Sequence, residues 1–332
     1  MPCLWRVGLC GCGECGLMGV PAGTGGVPDG DSGEAALRAA PARGGSTGPL
    51  TASVAAAARR LPAGHGFDIT VPNVARIYDF LLGGKDNFAA DRLAAMELLE
   101  AVPEAAIAAR DNRAFLGRAV RFLAREAGIR QFLDIGTGLP TRGNVHEIAH
   151  DTDPAARVVY VDNDPMVIVH ANALLATQPT VSAVYSDLRF PRHLLAMLAV
   201  RSLLDLDEPL AVLMTAVLHF IEDHEDPWAI VDEFKSAMAP GSYLVLSHVT
   251  GDDIGEDARR RAAEIYQSAS APGVTRTHAQ VARFFDGLDL LAPGLVSAAD
   301  WRPAVEHSRR EPALFYAGIG RKPGFVRRAR DD

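Results

Sequence analysis

The body of this chain contains no cysteine. All four, Cys3, Cys10, Cys12 and Cys15, fall within the first fifteen of 332 residues. That excludes a disulfide framework and a thiol nucleophile in the folded part and fits a reducing compartment. The Cys-x-Cys-x-x-Cys run lies among glycines without histidine or a second pair at zinc-like spacing, so no metal is expected. Long apolar runs are also missing: Pro209 to Ile221 falls short of the roughly 18–20 residues that cross a bilayer and contains His219. Near the start, Val7 to Cys10 is too short for a signal-peptide core, and Glu14 follows soon after. Positive charge is in deficit, with 33 Lys and Arg against 41 Asp and Glu, a formal charge of -8. That sign is wrong for neutralising nucleic-acid phosphates. The expectation is a cytoplasmic protein with a small-molecule partner, binding neither nucleic acid nor membrane.

What is present divides the chain into four parts. Residues 1–65 are rich in Gly, Ala and Pro without an apolar period, which predicts a disordered extension. An upstream segment included through a misplaced start codon is an alternative, which intact-mass analysis of the native protein tests. Residues 66–128 are expected to form a helical lid, residues 129–322 the ligand-binding domain, and residues 323–332 a flexible tail. Pro103 predicts the first turn of a helix running to about Ala127, closed by Gly128. Strands are expected at Gln131–Ile135, Arg157–Val161, Val181–Tyr185, Leu210–Thr215 and Ser242–Ser247, separated by helices. Two more are expected at Leu288–Leu291 and Ala313–Ile319 as a closing antiparallel pair. The alternation predicts an α/β, doubly wound, mostly parallel seven-stranded sheet. Asp164-Pro165 and Asp226-Pro227 place a capping carboxylate before a proline, and Thr277 with Gln280 makes a capping box.

The chemistry concentrates at strand ends. Asp134 is followed by Gly136, Thr137 and Gly138, with a helix expected from about Thr141. Those glycines let backbone approach a ligand, but Thr141 stands where a dinucleotide fingerprint wants its third glycine. A carboxylate at the first strand's end repels a diphosphate and suits a ligand carrying an ammonium and a sulfonium, the features of S-adenosylmethionine. Asp162 ends the second strand, where it can accept ribose hydroxyls, and Asn163 follows it. Asp187, beside Leu188, comes just after the third strand, where it can accept an adenine amine. After the fourth strand, Ala216 and His219 border the expected meeting point of cofactor and acceptor. His219 reads either as a general base or as a wall residue shaping the pocket. No Asn/Asp-Pro-Pro-Tyr/Phe signature follows that strand, so methylation of DNA-base amines has no support. Upstream, Tyr78, Lys85, Asp86 and Asn87 mark a glycine-containing segment able to act as a lid facing the acceptor. Arg113 could clamp a carboxylate of cofactor or substrate.

From about Pro72 to Gly320 the chain resembles the actinobacterial S-adenosyl methyltransferases once catalogued as a domain of unknown function. The resemblance rests on Ala75-Arg76-Ile77-Tyr78-Asp79, Leu81 to Phe88, Phe132 to Thr141 and Val159 to Pro165. It implies a class I, Rossmann-like methyltransferase fold with S-adenosyl-L-methionine as cofactor. By the same resemblance Asp134, Gly136 and Gly138 surround the methionine part, Asp162 meets the ribose and Asp187 the adenine. Two other readings of the residues stay open, an NAD-dependent oxidoreductase and a non-catalytic S-adenosylmethionine-binding protein. Neither the acceptor nor the oligomeric state can be read from the sequence.

Overall fold

A computed structural model describes residues 68–141, 143–304 and 312–324. The chain divides into two units, 1–46 and 47–332, and every described residue belongs to the second. The expected extension over residues 1–65, the cysteine run within it and nearly all of the expected tail therefore lie outside the described residues.

The five apolar runs form β1 (Gln131–Ile135), β2 (Arg157–Asp162), β3 (Val181–Tyr185), β4 (Ala211–Thr215) and β5 (Tyr243–Val249). All pair in parallel, with β1 between β2 and β4. β1, β2 and β4 are buried along most of their length because helices cover both faces of the sheet, whereas β3 at its edge is buried only at Val181 and Val184. On one face Phe132, Val158, Leu213 and Val245 join the buried residues of the N-terminal helices. On the other, Leu133, Val159, Val212 and Leu244 pack with Val231 and Phe234.

Three helices precede the sheet: α1 (Val74–Leu81), α2 (Ala89–Ala101) and α3 (Ala105–Arg125). Asn73 caps α1 by accepting from the backbone N–H groups of Ala75 and Arg76. α3 begins two residues after Pro103, which occupies the preceding turn, while Gly128 at φ +70° turns the chain out as expected. Although α3 falls in the segment expected to form a lid, its Phe115, Ala119 and Val120 are part of the core. After β1, α4 (Val145–His150) starts later than Thr141, at a capping box made by Asn144 and Glu147. The expected proline-led helices are α5 (Pro165–Leu174) and α8 (Pro227–Ala237); Asp164 accepts from the N–H of Met166 and Asp226 from that of Ala229. Between them lie α6 (Pro191–Ala196) and α7 (Leu198–Arg201). α9 (Glu256–Gln267) and α10 (His278–Ala282) follow β5, and Thr277 with Gln280 forms the expected box.

With β6 (Asp289–Leu290), β7 (Val296–Ser297) and β8 (Phe315–Arg321) the sheet has eight strands rather than seven, in the order β3-β2-β1-β4-β5-β8-β6, with β7 also on β8. The strand expected at Leu288–Leu291 shortens to β6, and β7 beyond it is an addition to the expected set. β6 and β7 each pair with β8, separated by a turn holding Pro293 and Gly294. Proline has no N–H for the ladder, and Gly294 at φ +97° leaves extended geometry. β8 runs antiparallel to β5, as the expected closing strand should. Strand order reverses between β1 and β4, which opens a crevice at their carboxyl ends. Among the described residues no helix is long and apolar enough to cross a membrane.

Candidate active site

That crevice is the mouth of a cavity of about 630 Å³. Its floor is the turn after β1. Gly136 and Gly138 have φ of +70° and +64°, and the N–H groups of Gly136 and Thr137 both donate to the carbonyl of Val161 on β2. A Cβ on Gly136 would lie 2.3 Å from Cγ2 of Val217, so the loop after β4 closes on the bare glycine backbone.

Two carboxylates are buried in this floor. Asp134 accepts a hydrogen bond from Oγ1 of Thr137 at 3.0 Å. Burial pushes its carboxyl up to about 6, against the lowering effects of Thr137 and the nearby Arg113. Asp162 accepts from the N–H of Gly138 through Oδ2 and from that of Asp164 through Oδ1, each at 2.9 Å. Burial also lifts it to about 6, with the neighbouring charges of Asp164 and Asp134 adding to the rise. Neither carboxylate has an ion-pair partner among the described residues. Arg113 lines the cavity and donates to the carbonyl of Gly143 at 3.1 Å and to Asn144 Oδ1 at 3.4 Å.

At the end of β3 the cavity is lined by Ser186, Leu188 and Arg189, but not by Asp187. The Asp187 carboxylate pairs with Arg189 at 3.2 Å, accepts the Arg189 N–H at 2.9 Å, and receives Asn163 Nδ2 at 3.3 Å. Arg189 is held in turn by Glu225 at 2.5 Å, so Asp187 faces a guanidinium rather than the cavity. Glu225 also belongs, with Glu222 and His224, to the one group of side chains among the described residues close enough to hold a metal ion.

The upstream segment is divided. Tyr78 lines the cavity and forms a buried chain: Asn112 Nδ2 donates to its hydroxyl at 2.9 Å, and that hydroxyl donates to the Ala109 carbonyl at 3.0 Å. Ser247 Oγ donates to Asn112 Oδ1 and accepts from the N–H of Ala216, a cavity-lining residue at φ +54°. Lys85, Asp86 and Asn87, by contrast, stand outside the lining. The N–H of Asp86 and Nδ2 of Asn87 both donate to Asp79 Oδ2, and a Cβ on Gly84 would collide with Asp79. The glycine pair therefore wraps the turn around Asp79, and the polar cluster satisfies its own backbone.

His219 lines the cavity yet is only 6% exposed. Burial, then His248 and Arg276, holds its imidazole well below the usual histidine range, so it is neutral at physiological pH. Its Nδ1 is buried without a hydrogen-bond partner among the described residues.

Several site-forming residues were not singled out in the sequence. Arg276, 1% exposed, donates to the carbonyls of Leu218 and Ile221 and pairs with Asp223 at 2.6 Å. It thereby fixes the loop carrying His219. Its Nη1 also meets Nε2 of His248 at 2.8 Å; since guanidinium only donates, His248 must carry its proton on Nδ1, facing the Val249 carbonyl. No local pattern announces this role. Asn73 is another: beyond capping α1, its Nδ2 donates to Asp164 Oδ2 at 2.7 Å and Ser270 Oγ at 3.2 Å, which ties α1 across the crevice.

The model of the S-adenosyl methyltransferase family matches residues 62–323. A DUF574-family protein from Streptomyces avermitilis is 40% identical, over 77% of this chain and 99% of that one, with a TM-score of 0.74. A candidate methyltransferase from Thermobifida fusca is 42% identical, over 77% of this chain and 97% of that one, with a TM-score of 0.73. No functionally curated protein matches. Nothing in these likenesses supports the oxidoreductase alternative. A glycine turn flanked by two buried carboxylates without an ion-pair partner among the described residues, on a sheet of this order and with these relatives, has one reading: the chain belongs to the S-adenosyl methyltransferase family and is an S-adenosylmethionine-dependent methyltransferase.

Proposed function

We propose that this methyltransferase acts on a small-molecule acceptor and holds its cofactor over the turn after β1. The observation that carries the reading is the burial of Asp134 and Asp162 at adjacent strand ends with no cation of their own. Buried carboxylates without a counter-charge are unstable unless a ligand supplies one. The backbone opened by Gly136 and Gly138 offers the close approach that such a ligand needs.

In this reading Asp134 receives the ammonium of the methionine part and Arg113 its carboxylate, with Thr137 orienting Asp134. Asp162 receives the ribose hydroxyls on the lone pairs left by Gly138 and Asp164, and Asn163 borders it. Leu188 packs against the adenine, while Asp187 reaches its amine only by sharing Arg189. When bound, the cofactor supplies an electrophilic methyl group and a sulfur able to take the electron pair of the broken bond. The chain contributes positioning and exclusion of water. Ala216 and His219 border the reacting centre. A base at His219 Nε2 would need the proton on Nδ1, where it would be a buried donor without an acceptor, so His219 is assigned to the wall. Roofing of the crevice by α1, tied down through Asn73, favours a small acceptor over a polymer.

Asp162→Ala is expected to weaken S-adenosylhomocysteine binding by about tenfold, the loss of one to two hydrogen bonds to ligand, as read by calorimetry. Unchanged affinity removes the ribose assignment. For His219→Phe, kcat is expected to stay within about tenfold of the parent, below the usual contribution of general acid–base catalysis. A loss of 1000-fold with the pH profile flattened would restore it as a base.

A further inference from the structure

The cavity extends beyond the part assigned to the cofactor. Away from β1–β3 it continues between α1, α3 and α9, where it is walled by Leu98, Val102, Ala105, Ile254, Ala262 and Leu314. Alanines on α3 and α9 leave the space that larger side chains would fill.

The charged groups along the cavity are engaged elsewhere. Arg76 is paired with Asp91 at 2.7 Å in a fully buried couple, and Arg189 with Asp187 and Glu225. Asp164 is taken by Met166 and Asn73. Asp79 is enclosed by its own turn, and burial shifts its carboxyl toward the neutral form. Asp68 is exposed and bonded to Thr70. Arg113, Asp134 and Asp162 belong to the cofactor half. The polar groups that face the remaining chamber are uncharged, among them Tyr78, Tyr266, Thr275 and neutral His219. The Tyr78 hydroxyl is already satisfied by Asn112 and Ala109, whereas that of Tyr266 makes no hydrogen bond among the described residues. Tyr266 is held in place by Phe220, at 5.9 Å between rings, and by Gly273, where a Cβ would press on its ring at 3.1 Å.

We infer that the acceptor is an uncharged, largely apolar small molecule, seated between α1, α3 and α9, whose polar end hydrogen-bonds to the Tyr266 hydroxyl. A charged acceptor entering this chamber would lose its hydration without meeting a free counter-charge. An apolar body gains from burial, and the unpaired Tyr266 hydroxyl helps select its orientation. The inference rests on the proposed placing of the cofactor, because that placing identifies which half of the cavity is left for the acceptor.

The test uses the full chain with S-adenosylhomocysteine bound and three bicyclic probes of similar shape: 2-naphthol, 2-naphthoate and 2-naphthylmethylammonium. In calorimetric titrations 2-naphthol is expected to bind at least about tenfold more tightly than either charged probe, the margin of roughly one unpaired buried polar contact. Ala262→Phe should weaken 2-naphthol binding by about tenfold or more through lost volume, and Tyr266→Phe by about three- to tenfold, with S-adenosylhomocysteine affinity kept within about twofold. Equal or tighter binding of a charged probe overturns the inference. So does an Ala262→Phe variant that retains both cofactor and 2-naphthol affinity; if that variant loses cofactor affinity through misfolding, Tyr266→Phe decides. Failure of the parent protein to bind S-adenosylhomocysteine would instead strike the cofactor placement itself.

Discussion

Gly136→Ala is expected to destabilise the protein by about 2–5 kcal/mol, the sum of a left-handed backbone penalty and overpacking. The new Cβ would stand 2.3 Å from Cγ2 and 2.6 Å from Cβ of Val217. Val217 has little room to retreat, because Arg276 holds the next turn through the carbonyls of Leu218 and Ile221. Any relief has to come from lifting the glycine turn away from β2, where Gly136 and Thr137 donate to Val161. That movement also displaces Asp134 and Thr137, so S-adenosylhomocysteine affinity should fall by at least about 100-fold, or some 3 kcal/mol. Gly138→Ala is the control. It has similar φ, +64°, but nothing within 4 Å of a new Cβ, so it should carry only the backbone cost of about 1–2 kcal/mol. Urea unfolding and calorimetry on both variants read the contrast. Equal damage at the two positions would show that the approach of Val217 is not what demands glycine.

The second large effect concerns Asp134, where stability and binding should move in opposite directions. Its folded-state carboxyl is raised to about 6 from 3.8, chiefly by burial. Between these values the folded state keeps a proton that the unfolded chain has released, so stability is fully present below about 3.8 and is lost as pH rises through about 6. At pH 7–8 the cofactor-free protein therefore carries the cost of a buried anion. Asp134→Asn should remove it, raising stability by about 1–3 kcal/mol at that pH while leaving stability little changed near pH 4. Cofactor affinity should instead fall by about 10–100-fold, because a charge-assisted hydrogen bond to the proposed ammonium is replaced by a neutral one. In the parent protein, affinity should rise from pH 5 to 7 as Asp134 and Asp162 ionise, and then flatten; the variant should lose part of that rise. Unfolding curves and calorimetry across this range decide the matter. An Asn variant that is less stable at pH 8, or parent affinity that does not vary with pH, contradicts the assignment.

Much of the architecture follows from local chemistry. Gln131–Ile135 and Val181–Tyr185 could be delimited to the residue because each is a short, mostly apolar stretch bounded by turn residues. Asp164 and Asp226 marked helix starts because an acceptor before proline has few other local uses. Gly136, Gly138, Asp134 and Asp162 stood out because strand ends on an open α/β sheet converge on one crevice. The shortening of β6 and the addition of β7 were less legible: Pro293 and Gly294 were present, but two-residue strands carry no periodic signal and are held by β8, whose pairing is not encoded nearby.

The sequence by itself determined the five parallel strands, the glycine turn and the two carboxylates at its rim, since these depend on residue type and spacing along a continuous stretch. Only the tertiary structure decided where the remaining polar groups point. It turned Asp187 to Arg189, folded Asp86 and Asn87 onto Asp79, brought Arg276 from the approach to α10 under the loop of His219, and left the Tyr266 hydroxyl without a hydrogen bond among the described residues. The reason is that a polar side chain is directed by whichever partner satisfies it when buried. Partners separated by dozens of residues, such as Arg276 and Asp223 or Asn112 and Ser247, meet only after the chain has closed.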